Sequence, residues 1–373
     1  MNLNLENAVR YHDGQFPPGI IDYPRIMGDL LAATDALARY DQMLKGLHNS
    51  EVFLAPLRNQ EAVISSRMEG TISTMDEILK LDPEFDESAP ADGDVRSEIV
   101  ETILYQRSLR TAQHNLDRGY PLSPALIKGI HQQLLSFGRG AKKSPGAFKR
   151  EQNYVGEHGS GRVSFIPISP EKLNEGMERL FEVVHDEKLP VLLRAAICHL
   201  EFEALHPFED GNGRVGRMLI TLMLWKYGAI EAPHFYISRY FEDHKAEYIR
   251  QMRNVSEHGT WDEWCQFFLT AVKEQAINNL YQAEHIRSLY EDMKTRFAAL
   301  LSSKWSVKAL DFMFTTPVFR NSRFTHNSGI PAPTAARFSR LLLKEGLLEI
   351  VEEAAGQKPA TFRFEPLVNI VRV

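Results

Sequence analysis

Apolar residues at Leu30, Ala33, Leu37, Tyr40, Leu44 and Leu47 recur at alternating intervals of three and four, the mark of one buried helix face. A second helix is expected after Pro56, through "LRNQEAVISSRMEG", with Gly70 placed to stop it. "LDPEFDESAPADGDV" is acidic and broken by Pro and Gly, so it reads as a surface loop. Ser123-Pro124 and Ser169-Pro170 each offer an N-cap serine with proline at the first helical position, and helices are expected after both. Between them "NYVGEHGSGRVSFIPISP" reads as a short hairpin or flap. Further helices are expected over Val191 to Leu205 and Val215 to Tyr227. The body is therefore mainly α, with one small β element.

The C-terminal part has a different pattern. "VKALDFMFTTP" is a short helical run. "VFRNSRFTHNSGIPAPTAARFSRLLLKEG" reads as helix, tight turn at Ser328-Gly329, and a second helix from about Pro333. "LLEIVEEAAGQKPATFRFEP" is two β-like runs around a turn. Helix-turn-helix followed by a β-hairpin is a winged-helix pattern.

Charge and composition narrow the function classes. The 373 residues carry a net charge of −6, which excludes a polycation that wraps nucleic acid. From Glu291 onward the net charge is +4, against −10 for the rest, which suggests a second module with different partners. Two scattered cysteines, Cys198 and Cys265, suit buried free thiols in a reducing compartment. The first residues, "MNLNLENAVRYHDG", hold no apolar signal core, and the run Met218 to Trp225 is far short of the roughly 20 residues of a membrane span. A cytoplasmic protein without membrane contact is expected.

The chemistry concentrates in "HPFEDGNGRVGR", residues 206–217. Placed between two helices, this loop aims the backbone N–H groups of Gly211, Asn212 and Gly213 out of a helix N-terminus, a natural anion site. Glycine there permits the turn and a close approach of phosphate. Arg214 and Arg217 lie three apart on the following helix and could clamp phosphate oxygens. Asp210 makes sense beside an anion if a divalent cation bridges the two. His206 stands at the loop mouth, able to take a proton near neutral pH. His199, Glu203 and His206 also fall at metal-ligand spacing. Pro207 and the interleaved Cys198, Leu200, Phe202 and Leu205 instead mark His199 as a core histidine.

This chain resembles the Fic family, whose signature His-Pro-Phe-x-Asp/Glu-Gly-Asn-Gly-Arg-x-x-Arg is met by His206, Pro207, Phe208, Asp210, Gly211, Asn212, Gly213, Arg214 and Arg217. The resemblance implies a Fic-type helical core with a β-hairpin flap, and transfer of AMP from ATP to a protein Ser, Thr or Tyr hydroxyl. It makes His206 the base, Asp210 the Mg²⁺ ligand, Gly211 to Gly213 the phosphate turn, and Arg214 with Arg217 the distal clamp. "SPGAFKREQNYVG" resembles the strand leading into the family's flap, and "RVSFIPISP", with Val163, Ser164, Phe165 and Ile166, resembles the flap that docks a target strand. "YISRYFEDHKAEYIRQM" resembles the segment closing over adenine, with Tyr248 the stacking candidate. The family often has two adjacent tyrosines, whereas Ile249 follows here, so a structural tyrosine stays open.

"SSRMEG" places Ser65 and Glu69 one turn apart, before Gly70 at a helix end. It resembles the family's inhibitory pattern Ser/Thr-x-x-x-Glu-Gly/Asn, which implies that Glu69 pairs with Arg217 and displaces the γ-phosphate. In some relatives the same glutamate serves AMP removal. The implied organisation is a Fic-associated region at 1–92 with the inhibitory helix, a catalytic core at 93–285 and a winged-helix module at 286–373. Arg337, Arg340 and Lys344 form a basic stripe on the tail's recognition helix. A DNA-binding regulator with a nucleotide-sensing Fic core is therefore the competing reading. Transfer of phosphocholine or phosphate is the runner-up chemistry. ATP and a protein substrate are the expected partners, with a homodimer and DNA left open.

Overall fold

The computed structural model of the chain describes residues 4–45, 51–71, 73–74, 77–78, 97–156, 161–355 and 359–372. Helix α1 (Tyr23–Lys45) buries Ile26, Leu30, Ala33, Leu37, Tyr40 and Leu44, the expected stripe. Leu47 and the acidic stretch 81–95 lie outside the described residues. Helix α2 (Glu51–Met68) begins before Pro56 and carries it inside, where a start after the proline was expected. Pro56 forfeits one helical hydrogen bond. Phe53, Ala55 and Leu57 around it are buried, and that burial keeps the segment helical.

Helices α3 (Ser97–Asp117), α4 (Pro124–Leu134), α5 (Pro170–Val184), α6 (Val191–Leu205) and α7 (Asn212–Lys226) follow. Ser123 Oγ accepts from Leu126 N at 3.3 Å, the N-cap read from the sequence. Ser169 sits at the same position before α5 but makes no side-chain cap bond. Helices α8 (Ser238–Asp243), α9 (Lys245–His258) and α10 (Trp261–Leu301) complete the body.

The flap holds the expected antiparallel pair and adds a third strand to it. β3 (Val163–Ile166) is its central strand, antiparallel to β2 (Val155–Gly156) and parallel to β1 (Val9–Arg10). β1 is two residues in a polar stretch, too short to show period-two alternation. Asn4 extends the pairing, accepting from Val163 N and donating to Gly161 O, each at 3.0 Å.

Two apolar cores share α10. Its 41 residues span about 60 Å. Trp261, Trp264, Phe268, Val272 and Ala283 enter the first core with α1, α6 and α7. Ile286, Phe297 and Leu301 enter the second with the C-terminal elements. The expected boundary at 285/286 falls inside this helix. α2 also reaches both cores, Leu57 and Met68 lying in the first and Phe53 and Val63 in the second.

The C-terminal elements are α11 (Ser306–Thr315), β4 (Val318–Arg320), α12 (Asn321–Asn327), α13 (Ala332–Lys344), β5 (Leu348–Glu352), β6 (Thr361–Phe364) and α14 (Glu365–Val371). The sheet order is β4-β6-β5, with Gly329 in the left-handed region at the expected turn. The apolar pattern predicts neither β4 nor α14, both short. Arg337 Nη2 donates to Leu301 O at 3.0 Å, capping α10, while Arg340 is exposed. Cys198 and Cys265 are buried free thiols. Among the described residues no helix is long and apolar enough to cross a membrane.

Candidate active site

The motif loop begins where α6 is forced to end. His206 N still donates to Phe202 O at 3.0 Å, but Pro207 has no N–H to continue the ladder. His206 adopts φ 45°, ψ 61°, the left-handed region, at a cost on the order of 1–3 kcal/mol for a side chain of this kind. Gly211, at φ 76°, makes the second reversal without that cost. Asn212 clamps the loop from inside. Its Oδ1 accepts from Phe208 N at 2.8 Å and its Nδ2 donates to Phe208 O at 2.9 Å. α7 then starts, its first N–H groups free of helical partners.

The protonation of His206 follows from its neighbours. Nδ1 lies 3.3 Å from Glu203 O, and a carbonyl only accepts, so Nδ1 carries the proton and Nε2 keeps a lone pair. Burial, then the charge of Lys149, push the imidazole pKa down to about 4, against weaker upward pulls from Glu69 and Asp210. The ring is neutral at pH 7.

Arg217 is buried and held from α2. Its Nε donates to Ser65 Oγ at 2.8 Å, and its Nη2 to Ser65 O and Glu69 Oε1, each at 2.8 Å. Burial alone would raise the Glu69 pKa. The charge and hydrogen bond of Arg217, with Arg214 and His206 adding to them, outweigh it and hold the carboxyl below its ordinary value. The carboxylate lies directly over the start of α7, where a Cβ on Gly213 would collide with Oε1. An anion therefore already fills the helix N-terminus.

Other sequence-predicted residues divide. Met68, Glu69, Gly70, Val163, His206, Asp210, Gly213, Arg217 and Tyr248 line one cavity of about 700 Å³. Ser164 and Phe165 line a neighbouring, more apolar one of about 480 Å³ with Leu200, Ile249 and Met252; His206 and Glu203 border both. Arg214 is buried beside Glu101 at 3.5 Å and Asp210 at 3.6 Å and does not line the larger cavity. Asp210 Oδ1 accepts from Gly211 N at 2.6 Å. Tyr248 is buried, its ring stacked on Phe241 at 4.5 Å. Its hydroxyl donates to His199 Nε2 at 2.9 Å, and His199 Nδ1 faces Gly216 O at 3.2 Å. His199 is thus a satisfied core histidine. Among the described residues no group of three or more His, Cys, Asp or Glu could hold a metal.

Sequence reasoning missed His131, Lys149 and Asn153 as members of the site, and met Glu203 only as part of a metal-like spacing it set aside. Burial raises the Glu203 carboxyl to about 8, so it stands protonated between His206 and α7. Its spacing of three before His206 was the available signal.

These features define a cavity lined by a neutral histidine, two carboxylates and a buried arginine, on a mostly helical fold. Residues 121–224 match the Fic/DOC family model and residues 27–114 the Fic/DOC N-terminal model, together about half of the chain. The chain belongs to the Fic/DOC family. It is 32% identical over 105 residues to the protein adenylyltransferase fic-1 of Caenorhabditis elegans, covering 27% of this chain and 19% of that protein. To a probable protein adenylyltransferase of Aquifex aeolicus it is 26% identical over 213 residues, 56% of this chain and 58% of the relative. The chain thus spans about a fifth of the nematode relative's length. A Fic family protein of Desulfovibrio desulfuricans shares the fold with a TM-score of 0.59 at 16% identity, over 93% of this chain and 98% of that one. A Fic domain protein of Bacteroides thetaiotaomicron matches with a TM-score of 0.56 at 21% identity, over 69% and 97%.

Proposed function

We propose that this chain is a self-inhibited protein adenylyltransferase that moves AMP from ATP to a Ser, Thr or Tyr hydroxyl. The observation that carries the reading is the convergence of His206, Asp210, Gly213 at the start of α7 and Arg217 on one cavity. The target oxygen attacks the α-phosphorus as its proton passes to His206 Nε2. The bond from that phosphorus to the bridging oxygen breaks, and pyrophosphate leaves. The start of α7 and Arg217 bind the β- and γ-phosphates, and the apolar compartment of Phe165, Leu200, Ile249 and Met252 receives the base, with Tyr248 lining the larger cavity beside it.

Mg²⁺ is bound in many phosphate sites by a single carboxylate plus phosphate oxygens and water, so no three-residue cluster is required. Asp210, 37% exposed at the cavity, suits that role, and a bound Mg²⁺ would neutralise phosphate charge. Arg214, paired with Glu101 away from the larger cavity, would have to turn from that pair to meet a distal phosphate. Glu69 is the brake: it takes the place of the γ-phosphate and the hydrogen bond that Arg217 would give it. With the brake set, the same carboxylate can orient a water for AMP removal. We read the C-terminal elements as a winged-helix module joined to the body through α10. Because β3 is paired on both sides, a target strand would add at the outer edge of β2. The two buried thiols suit a reducing, cytoplasmic compartment.

The test uses ATP labelled at either phosphate, with the Glu69→Gly variant as enzyme. Label from the α-phosphate should appear on protein hydroxyls, label from the γ-phosphate should not, and adding His206→Ala should lower transfer by about a hundredfold or more. Transfer of γ-label, or transfer undiminished by His206→Ala, would refute the reading.

A further inference from the structure

Four consecutive carbonyls of the catalytic turn, and one beyond them, are bound from outside the motif. Lys149 Nζ donates to Leu205 O at 3.0 Å, and Lys149 N donates to Pro207 O at 2.8 Å. Asn153 Nδ2 donates to His206 O and to Phe208 O, each at 3.0 Å. His131 Nδ1 accepts from Gly146 N at 2.8 Å, which leaves Nε2 to donate to Asp210 O at 3.0 Å. Lys149 Nζ also donates to Asn153 Oδ1 at 2.8 Å, so the two side chains orient one another. The His131 ring lies flat on Phe208, centroids 3.7 Å apart. Lys149 is 4% exposed and His131 fully buried. Neither they nor Asn153 line the larger cavity.

We infer that Lys149, Asn153 and His131 are positioning residues that hold the left-handed His206 turn at the cavity. The inference rests on the reading of His206 as the general base. A left-handed histidine is a strained state that surrounding structure must impose. Here every carbonyl from Leu205 to Phe208 is fixed in direction, and a relaxed turn could not satisfy the same donors. A buried ammonium is costly unless its hydrogen bonds are met. Two of the three N–H bonds of Lys149 are spent on this turn and its clamp.

The charges that bear on His206 are Lys149, pushing its pKa down, and Glu69 and Asp210, pulling it up. Burial lowers Lys149 itself to about 7. A neutral amine keeps two N–H groups, so both hydrogen bonds outlast the charge as pH rises through that value. Below it the ammonium is charged, the range in which His206 would otherwise begin to protonate.

The experiment compares Lys149→Met, Lys149→Arg and Asn153→Ala in the full chain carrying Glu69→Gly. The His206 imidazole is titrated by NMR on histidine-labelled protein and assigned with His206→Ala, and kcat and KM for ATP are measured across pH. Lys149→Met should raise the His206 pKa by about one unit and carry the acid limb of kcat up with it. It should also lower kcat about tenfold or more with KM within twofold. Lys149→Arg should leave the titration unmoved. Asn153→Ala should lower kcat without shifting it. A folded Lys149→Met protein with unchanged titration and unchanged kcat overturns the inference. If Lys149→Met does not fold, an Asn153→Ala kcat equal to the parent's overturns it instead. A parent that transfers no AMP, yet shows the shifted titration in Lys149→Met, refutes the transfer reading and leaves the positioning role standing. An active parent whose Lys149→Met variant keeps both titration and kcat does the reverse.

Discussion

Two helix ends meet at Arg217, and they are held by different means. The turn between α6 and α7 is fixed through its backbone by donors on buried Lys149, Asn212 and His131 and on half-buried Asn153. The end of α2 is held by the buried Arg217–Ser65 hydrogen bonds and, beyond them, by partly exposed side chains. Arg67, 37% exposed, pairs with Glu242; Lys245 Nζ donates to Met68 O at 3.0 Å; and Glu69, 32% exposed, meets Arg217. Exposed ion pairs contribute about 1 kcal/mol or less, whereas buried hydrogen bonds cost more to break. The α6–α7 turn is therefore tied through its backbone, whereas the last residues of α2, Arg67 to Glu69, rest on partly exposed pairs. α2 also connects the cover to the tail, since Gln60 Nε2 donates to Val371 O at 2.9 Å.

The contrast can be broken at Arg217 first. In the Glu69→Gly background, Arg217→Ala should raise the Kd for ATP about tenfold to a hundredfold, the worth of a charge-assisted hydrogen bond to phosphate. Calorimetric titration that found an unchanged Kd would remove Arg217 from the phosphate site and leave it a mere anchor for α2. A smaller effect sharpens the contrast. Arg67→Met in the otherwise native chain should raise AMP transfer only a few-fold, because the lost pair is partly exposed. Activation as large as that of removing Glu69, measured by α-label incorporation, would move the brake from the carboxylate to the docking of the whole helix.

The residues legible in the sequence are those whose chemistry is contiguous or one helical turn apart. His206 to Arg217 forms a single run, and Ser65 with Glu69 shares a helix face, so side-chain type and spacing were enough. Lys149, Asn153 and His131 were not legible because they act on carbonyls, which every residue has, from 56, 53 and 79 positions away. Arg214 shows the limit of spacing. Three positions from Arg217 put both on one side of α7, yet Glu101 on α3 draws the first away from the cavity. In the fold, long stripes such as that of α1 were read correctly. β1, β4 and α14 were too short for a period, and Pro56 was overruled by the burial of its neighbours.

The central claim is that the Glu69 carboxylate, and not the catalytic turn, keeps this protein silent. It is tested most directly by AMP incorporation at pH 7 into candidate targets and the enzyme itself, comparing the native chain, Glu69→Asp and Glu69→Gly. Removing a charged competitor worth a few kcal/mol should raise transfer by about tenfold or more in Glu69→Gly, with Glu69→Asp between the two because its shorter arm reaches Arg217 poorly. Any AMP-removing activity should fall in Glu69→Gly. A Glu69→Gly protein that binds ATP yet transfers no more AMP than the native chain would contradict the account.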